Sequence, residues 1–288
     1  MQALAEFIMR GRVQAYFVAF AGNLVPVVSP ATIGLVTLRK GSIEGLFVSL
    51  WAVLPLLATY IAGGVTPLWA LLTLVSIAAL MMMVISASML RITISWQLTL
   101  YAVVFASALF SGLIAAFFPA HVEQSVPELI AFFEQMAGDQ EVQFVPGKSF
   151  LLGMMAWLVA WSTVIGLLVS RWWQSLLYNP GGFKEEFRQL RLEKAFALFS
   201  MVAVVLGLFI PGEISLWTGL AGLPLMIAGI AFAHHSVAAL QLGGHWLGLM
   251  YFGVLFIAPV STVLIGLGFA DSFLDLRSRL AKRKQRDS

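Results

Sequence analysis

The side chains able to do chemistry in this chain are few and poorly placed for it. His234 and His235 are adjacent, and His245 follows in the next polar stretch. Neighbouring residues on a helix point about 100° apart, so the pair cannot grip a metal as an i,i+4 pair would. No H-E-x-x-H pattern or carboxylate partner stands beside them. They read as histidines solvated at a helix end, and no metal site is expected. Cysteine is absent, which removes disulfides, thiolate nucleophiles and iron–sulfur ligands together. There is no nucleophile elbow, phosphate loop or dinucleotide-binding glycine pattern. Glu6, Glu44, Glu213 and Asp271 fall at or near the ends of apolar runs, where water or headgroups can solvate them. No run holds a pair of opposite charges that could relay protons at depth. The expectation is a protein without catalytic residues or cofactor, and not an enzyme.

Uncharged polar residues at depth say more. Asn23 stands beside an interruption made by Pro26 and Pro30. Broken helices persist at membrane depth only where protein or a water-filled cavity satisfies the freed backbone, and transporters use such breaks for substrate sites. Asn23, Ser29, Thr32, Ser95 and Gln97 form the candidate ligand-binding set, provided the helices bring them together. A plain structural kink is the other reading.

The elements that would hold these residues are membrane spans. Of 288 residues, 60% are hydrophobic and 11% charged, against about 25% charged in soluble domains. Mean hydropathy is +0.92. The fold class expected is all-α: a polytopic transmembrane helix bundle, a single domain over residues 1–288, with short interfacial amphipathic helices. Apolar runs long enough to cross cover residues 42–61, 67–89, 94–118, 150–169 and 246–269. Two more, 195–210 and 214–233, flank a Pro211-Gly212-Glu213 turn. Residues 13–38 form either one kinked span or two short helices folding back on each other. That makes about eight spans. No removable signal peptide is expected, since a basic start with a following apolar run and cleavage site is missing.

Basic residues mark the cytoplasmic side of a membrane protein. Arg39, Lys40, Arg91 and Arg171 place their junctions inside, as does the basic tail, residues 271–288. Glu123, Glu128, Glu134, Asp139 and Glu141, with Lys148 alone against them, place residues 119–148 outside. Counting every C-terminal run as a full crossing puts the tail on the wrong face. One of them must be re-entrant or broken, and Pro259 and the short run 195–210 are the suspects. In the outer loop, Ser125, Pro127 and Glu128 suggest a capping box opening an amphipathic helix over residues 125–136. That helix either packs on the bundle or lids a cavity.

The cytoplasmic elbow, residues 172–194, holds Asn179, Pro180, Gly181, Gly182 and Phe183 as a sharp turn. Phe183, Phe187 and Leu190 then recur at helical spacing, so residues 183–193 read as an amphipathic helix. Its Lys184, Arg188, Arg191 and Lys194 would face anionic lipid or a partner. Trp172, Trp173 and Tyr178 suit the headgroup level. Glycines in "GLAGL" (219–223) and "GLGFAD" (266–271), with the Ala15/Ala19 pair, would let helices approach closely.

Three stretches together carry a resemblance: "SPATIGLVTLRKG" (29–41), "NPGGFKEEFRQLRL" (179–192) and "GLGFADSFLDLRSR" (266–279). In order and spacing they resemble the YybS-like family of bacterial membrane proteins, for which no activity is established. That family is distantly similar to the S subunits of energy-coupling-factor transporters and to the rod-shape protein MreD. The resemblance implies a bacterial inner-membrane protein that binds a small or lipid-like ligand, with Ala15 and Ala19 docking a coupling subunit. An ATPase would then be a further partner, since the chain has no ATP-binding motif. The alternative it implies is a non-transporting scaffold whose cytoplasmic loops recruit partners. The C-terminus is expected in the cytoplasm; the lipid bilayer is a partner on either reading, and nucleic acid is not.

Overall fold

The computed structural model describes residues 1–25, 27–62, 66–138, 144–210 and 212–280. Pro26, Asp139, Glu141, Pro211 and the tail beyond residue 280 lie outside the described residues. Among those described there are thirteen α-helices, a further helical turn over 276–280, one short 3₁₀ turn and no strand. Contacts divide the chain into two compact units, 1–181 with 210–220 and 182–209 with 221–288.

The first unit contains α1 (Gln2–Arg10), α2 (Arg12–Ala21), α3 (Val28–Lys40), α4 (Ser42–Ala62), α5 (Pro67–Thr93), α6 (Trp96–Phe117), α7 (Pro119–Ala137) and α8 (Lys148–Tyr178). Its axis is α3, apolar almost all round and buried at nearly every position from Ser29 to Leu38. A helix of that kind needs packed neighbours on every side, and α2, α4, α5 and α8 supply them. Close approach is built in at Gly34, where a Cβ would stand 2.2 Å from the Met83 methyl and 2.5 Å from the Ser170 hydroxyl. Gly45 does the same for α4, with Thr37 Oγ1 at 1.9 Å from such a Cβ.

The N-terminal run is two helices folded back on each other. Arg12, opening α2, pairs with Glu44 in the first turn of α4, and α3 ends at Lys40 just before that turn. Both ends of α2–α3 therefore lie at the α4 N-terminus. The tip reaches Ala52, the middle of α4, through Asn23. Val27, at the tip, takes a left-handed conformation (φ 75°) to reverse the chain. Pro30 falls in the first turn of α3, where its missing N–H is no loss.

Two expectations about the outer loop change. α7 begins at Pro119, earlier than the capping box suggested, and Ser125 is buried inside it, donating to the His121 carbonyl. Glu128 does cap a helix, but a different one: its carboxylate accepts from Leu68 N at 3.2 Å, at the start of α5. Glu213 caps α8 in the same manner, accepting from Phe150 N at 3.2 Å, while Trp217 Nε1 donates to the Ser149 carbonyl at 2.9 Å. Val122 and Leu129 of α7 share a core with Leu71, Val75, Met82, Ile114, Leu151 and Met155, so α7 is a packed helix. α8 runs 31 residues, about 46 Å at 1.5 Å per residue. That matches the roughly 40–45 Å of a bilayer with both headgroup layers. Near its end Trp173 is buried at 1% exposure, whereas Trp172 and Tyr178 are partly exposed.

The second unit contains α9 (Gly182–Gln189), α10 (Lys194–Leu208), most of α11 (Ser215–Ala239), α12 (His245–Phe256) and α13 (Ala258–Leu274). α11 and α13 cross with backbones touching. A Cβ at Gly229 would stand 1.9 Å from the Leu264 carbonyl oxygen, and one at Gly268 would stand 2.2 Å from that of Leu225. The run 246–269 is broken at Ile257 into α12 and α13, bent by 119°. Pro259 is the cause: it has no N–H to continue α12 and sits instead in the first turn of α13.

Five helices, α4, α5, α6, α8 and α11, are long and apolar enough to cross a membrane, or six if the bent α12–α13 pair counts as one span. This is fewer than the eight expected, because α2, α3 and α10 are each short and the last run is split.

Candidate functional site

The predicted ligand set does not come together. Asn23 Nδ2 donates to the carbonyls of Ala19, Phe20 and Ala52 at 2.9–3.2 Å, and Ser29 Oγ donates to Ala19 O at 2.7 Å. Thr32 Oγ1 returns to Val28 O. These groups satisfy the backbone freed at the tip of α2–α3, so their polar atoms face the fold itself. Ser95 caps α6, accepting from Leu98 N at 3.3 Å, with Gln97 in the first turn of that helix. They follow Arg91, which lies against Gly41 at the opposite end of α3 from Ser29. The twelve-residue step from Ser29 to Gly41 separates the two groups by about 18 Å at 1.5 Å per residue. Ala15 and Ala19 are buried inside the first unit at 2% and 0% exposure, where α2 packs on α3 and α4.

A pocket of about 260 Å³ does open in the first unit, near the ends of α4 and α6 and the start of α5. Leu57, Leu71, Leu74, Ile77 and Phe118 line it with apolar surface, and Tyr60, Thr73 and His121 add polar groups. Thr73 Oγ1 already donates to Trp69 O, which leaves the Tyr60 hydroxyl and the His121 ring free to meet a polar head. His121 stands edge-on to Phe118 with ring centres 6.1 Å apart. Sequence reasoning missed this set, because its members come from three helices with no shared motif.

In the second unit the structure joins two of the three signature stretches. α9 stops at Gln189, short of the residue-193 end expected, and Arg277 takes up the carbonyls left over. Its guanidinium donates to Arg188 O at 2.5 Å, to Leu190 O at 2.6 Å and to Asp271 Oδ2 at 2.8 Å. In return Arg191 donates to Asp275 Oδ1 at 2.9 Å and to Ser272 O at 3.2 Å. Arg191 thus reaches a carboxylate and a carbonyl of the C-terminal stretch, and Arg277 reaches two carbonyls of the α9 stretch while pairing with Asp271 of its own, a set of planar contacts that guanidinium suits and ammonium does not. The Asp271 side chain is 1% exposed, where solvation at a span end was expected. Arg188 pairs with Glu185, and Arg191 is held by the clamp, so neither is a loose cation facing lipid. His234 joins the same end, with Nε2 2.7 Å from the Tyr251 hydroxyl and its ring edge-on to Phe187.

Asp275 lies beyond α13. Hydrogen bonding from Ser278, and then the Arg191 guanidinium, hold its carboxyl below the usual aspartate range.

Compared with known protein families, with characterised proteins and with solved structures, the chain finds no match.

Proposed function

We propose that this chain is a YybS-like protein of the bacterial inner membrane that holds a lipid-like ligand, an apolar chain with a small polar head, in the pocket at Tyr60, Thr73 and His121. The observation carrying this reading is the lining: a mostly apolar recess with the polar groups of Tyr60, Thr73 and His121, formed by two membrane-length helices, α4 and α5, and by α7. Its volume, about 260 Å³, is just under the roughly 300–1,000 Å³ of drug-sized sites, which favours one chain over a bulky ring system.

Charge gives the orientation. Arg12, Arg39, Lys40 and Arg91 gather at one end of the first unit, and Glu123, Glu128 and Glu134 follow α6 at the other. The basic end is then cytoplasmic, and the pocket faces outward. The α2–α3 pair enters from the cytoplasmic side and returns to it. α4, α5, α6, α8, α10 and α11 cross, and α12–α13 is a second re-entrant pair. On this topology the eight apolar runs make six crossings and two hairpins, taking in α10 beside the five membrane-length helices although it is shorter than they are, and the C-terminus lies in the cytoplasm. Energised movement of the ligand would require an ATPase and coupling subunit as partners.

The test is mass spectrometry of small molecules that stay with the protein through purification in mild detergent. A stoichiometric amphipathic molecule is expected on the wild type and not on Ala70→Phe, which fills the pocket. A ligand-free wild type overturns the reading and leaves the MreD-like scaffold in its place.

A further inference from the structure

A second recess, independent of the first, lies at the other end of the same unit. It measures about 350 Å³ and is lined by Gln2, Glu6, Met9 and Arg10 of α1 and by Leu176, Leu177 and Tyr178, the last three residues of α8. Its lining is half polar and carries both signs of charge. Among the described residues Glu6 accepts only from Gln2 Nε2, at 2.9 Å. Arg10 is exposed and forms no ion pair among the described residues. Though one turn apart on α1, the two are not bonded to each other.

The α8 end adds negative character. The last carbonyls of a helix have no partner within it and carry the negative pole of its dipole. Asn179 N closes onto Ser175 O, but the next donor, for Leu176 O, would be Pro180, which has no N–H. Gly181 follows with φ 87° and turns the chain away. The Asn179-Pro180-Gly181 turn thus leaves the carbonyls of Leu176, Leu177 and Tyr178 open beside Glu6. Arg39 stacks on the Tyr178 ring, 4.2 Å from its centre. Because α8 is as long as the bilayer with its headgroups, this end stands at headgroup depth.

We propose that this recess binds the headgroup of an amine-bearing phospholipid, such as phosphatidylethanolamine, from the surrounding leaflet. The ammonium sits between Glu6 and the open carbonyls of α8. The phosphate meets Arg10, and Met9, Leu176 and Leu177 receive the start of the acyl chains. A simple anionic headgroup would leave Glu6 and the helix end facing negative charge. A trimethylated headgroup carries the charge but has no N–H to donate to them.

Native mass spectrometry of the detergent-purified chain, offered phosphatidylethanolamine, phosphatidylglycerol and phosphatidylcholine in equal amounts, tests this. Preferential retention of phosphatidylethanolamine is expected. Glu6→Gln and Arg10→Gln should each reduce that preference about two- to fivefold, the scale of a single exposed ion pair. Glu134→Gln, outside the recess, should leave it unchanged, and gel filtration confirms that each variant is folded. Equal retention of the three lipids by the wild type overturns the proposal, as does a preference that survives both recess variants.

Discussion

Arg277 and Asp271 meet at 2.8 Å with the carboxylate 1% and the guanidinium 12% exposed, and the same arginine closes the end of α9. An ion pair this buried carries a large desolvation penalty, which further hydrogen bonds offset in part. Arg277 donates to Asp271, Arg188 and Leu190, while Asp271 Oδ1 has no partner among the described residues. Arg277→Ala leaves a buried, uncompensated carboxylate and should lower stability by about 3–5 kcal/mol. Arg277→Lys should recover little of it, because an ammonium lacks the planar fork. Thermal unfolding in detergent measures both.

The companion pair responds to pH differently. Asp275 has a carboxyl pKa held below its unfolded value, so its contribution is complete above the ordinary aspartate range and disappears as pH falls through the lowered value. Protease sensitivity of the chain after residue 275 should therefore be flat between neutral pH and pH about 5, and rise only in stronger acid. Asp275→Asn should remove that acid-dependent rise.

The α11–α13 crossing tolerates no side chain at its contact. Gly229→Ala places a methyl group into the Leu264 carbonyl, and backbone cannot rotate away as a side chain can. The expected loss is about 1–3 kcal/mol, read from the melting temperature. Gly266→Ala on α13, with open space around it, should change little and serves as the comparison.

Glu128 and Glu213 separate capping from charge. Replacing either with Ala removes the acceptor at a helix N-terminus, for a loss of about 1 kcal/mol. Gln keeps an acceptor oxygen and should lose only the dipole share, about 0.3–1 kcal/mol. Chemical unfolding of the four variants in one detergent distinguishes the two contributions.

Asn23→Leu tests the hairpin tip. It removes the donor to three carbonyls without a large change in volume; Ala19 O keeps Ser29 Oγ, and a part-buried acceptor left unmet, as at Ala52, costs about 1–3 kcal/mol. Asn23→Leu should therefore be far less stable than Asn23→Gln, and a cysteine placed at Leu24 should report the displaced tip by altered labelling.

Much of this architecture is legible in the residues alone. The helical class and the positions of α4, α5, α6, α8 and α11 follow from hydropathy, because each residue adds its own transfer free energy whatever its neighbours do. The breaks near Asn23 and Pro259 are legible for the same reason: a proline removes a backbone donor locally. Partners are another matter. Whether α2–α3 bends or folds back depends on its packing against α4, whose first turn, 32 residues on, also meets Arg12 through Glu44. Ser125 looks like a cap, but burial takes it into α7, and Glu128 serves α5 instead. Asp271 reads as a solvated end residue until Arg277 and the carbonyls of α9 enclose it. Local chemistry determines that a span forms and where it must stop. Only packing decides which carboxylate, carbonyl or glycine meets it there, because those contacts join residues whose separation in sequence leaves no periodic trace.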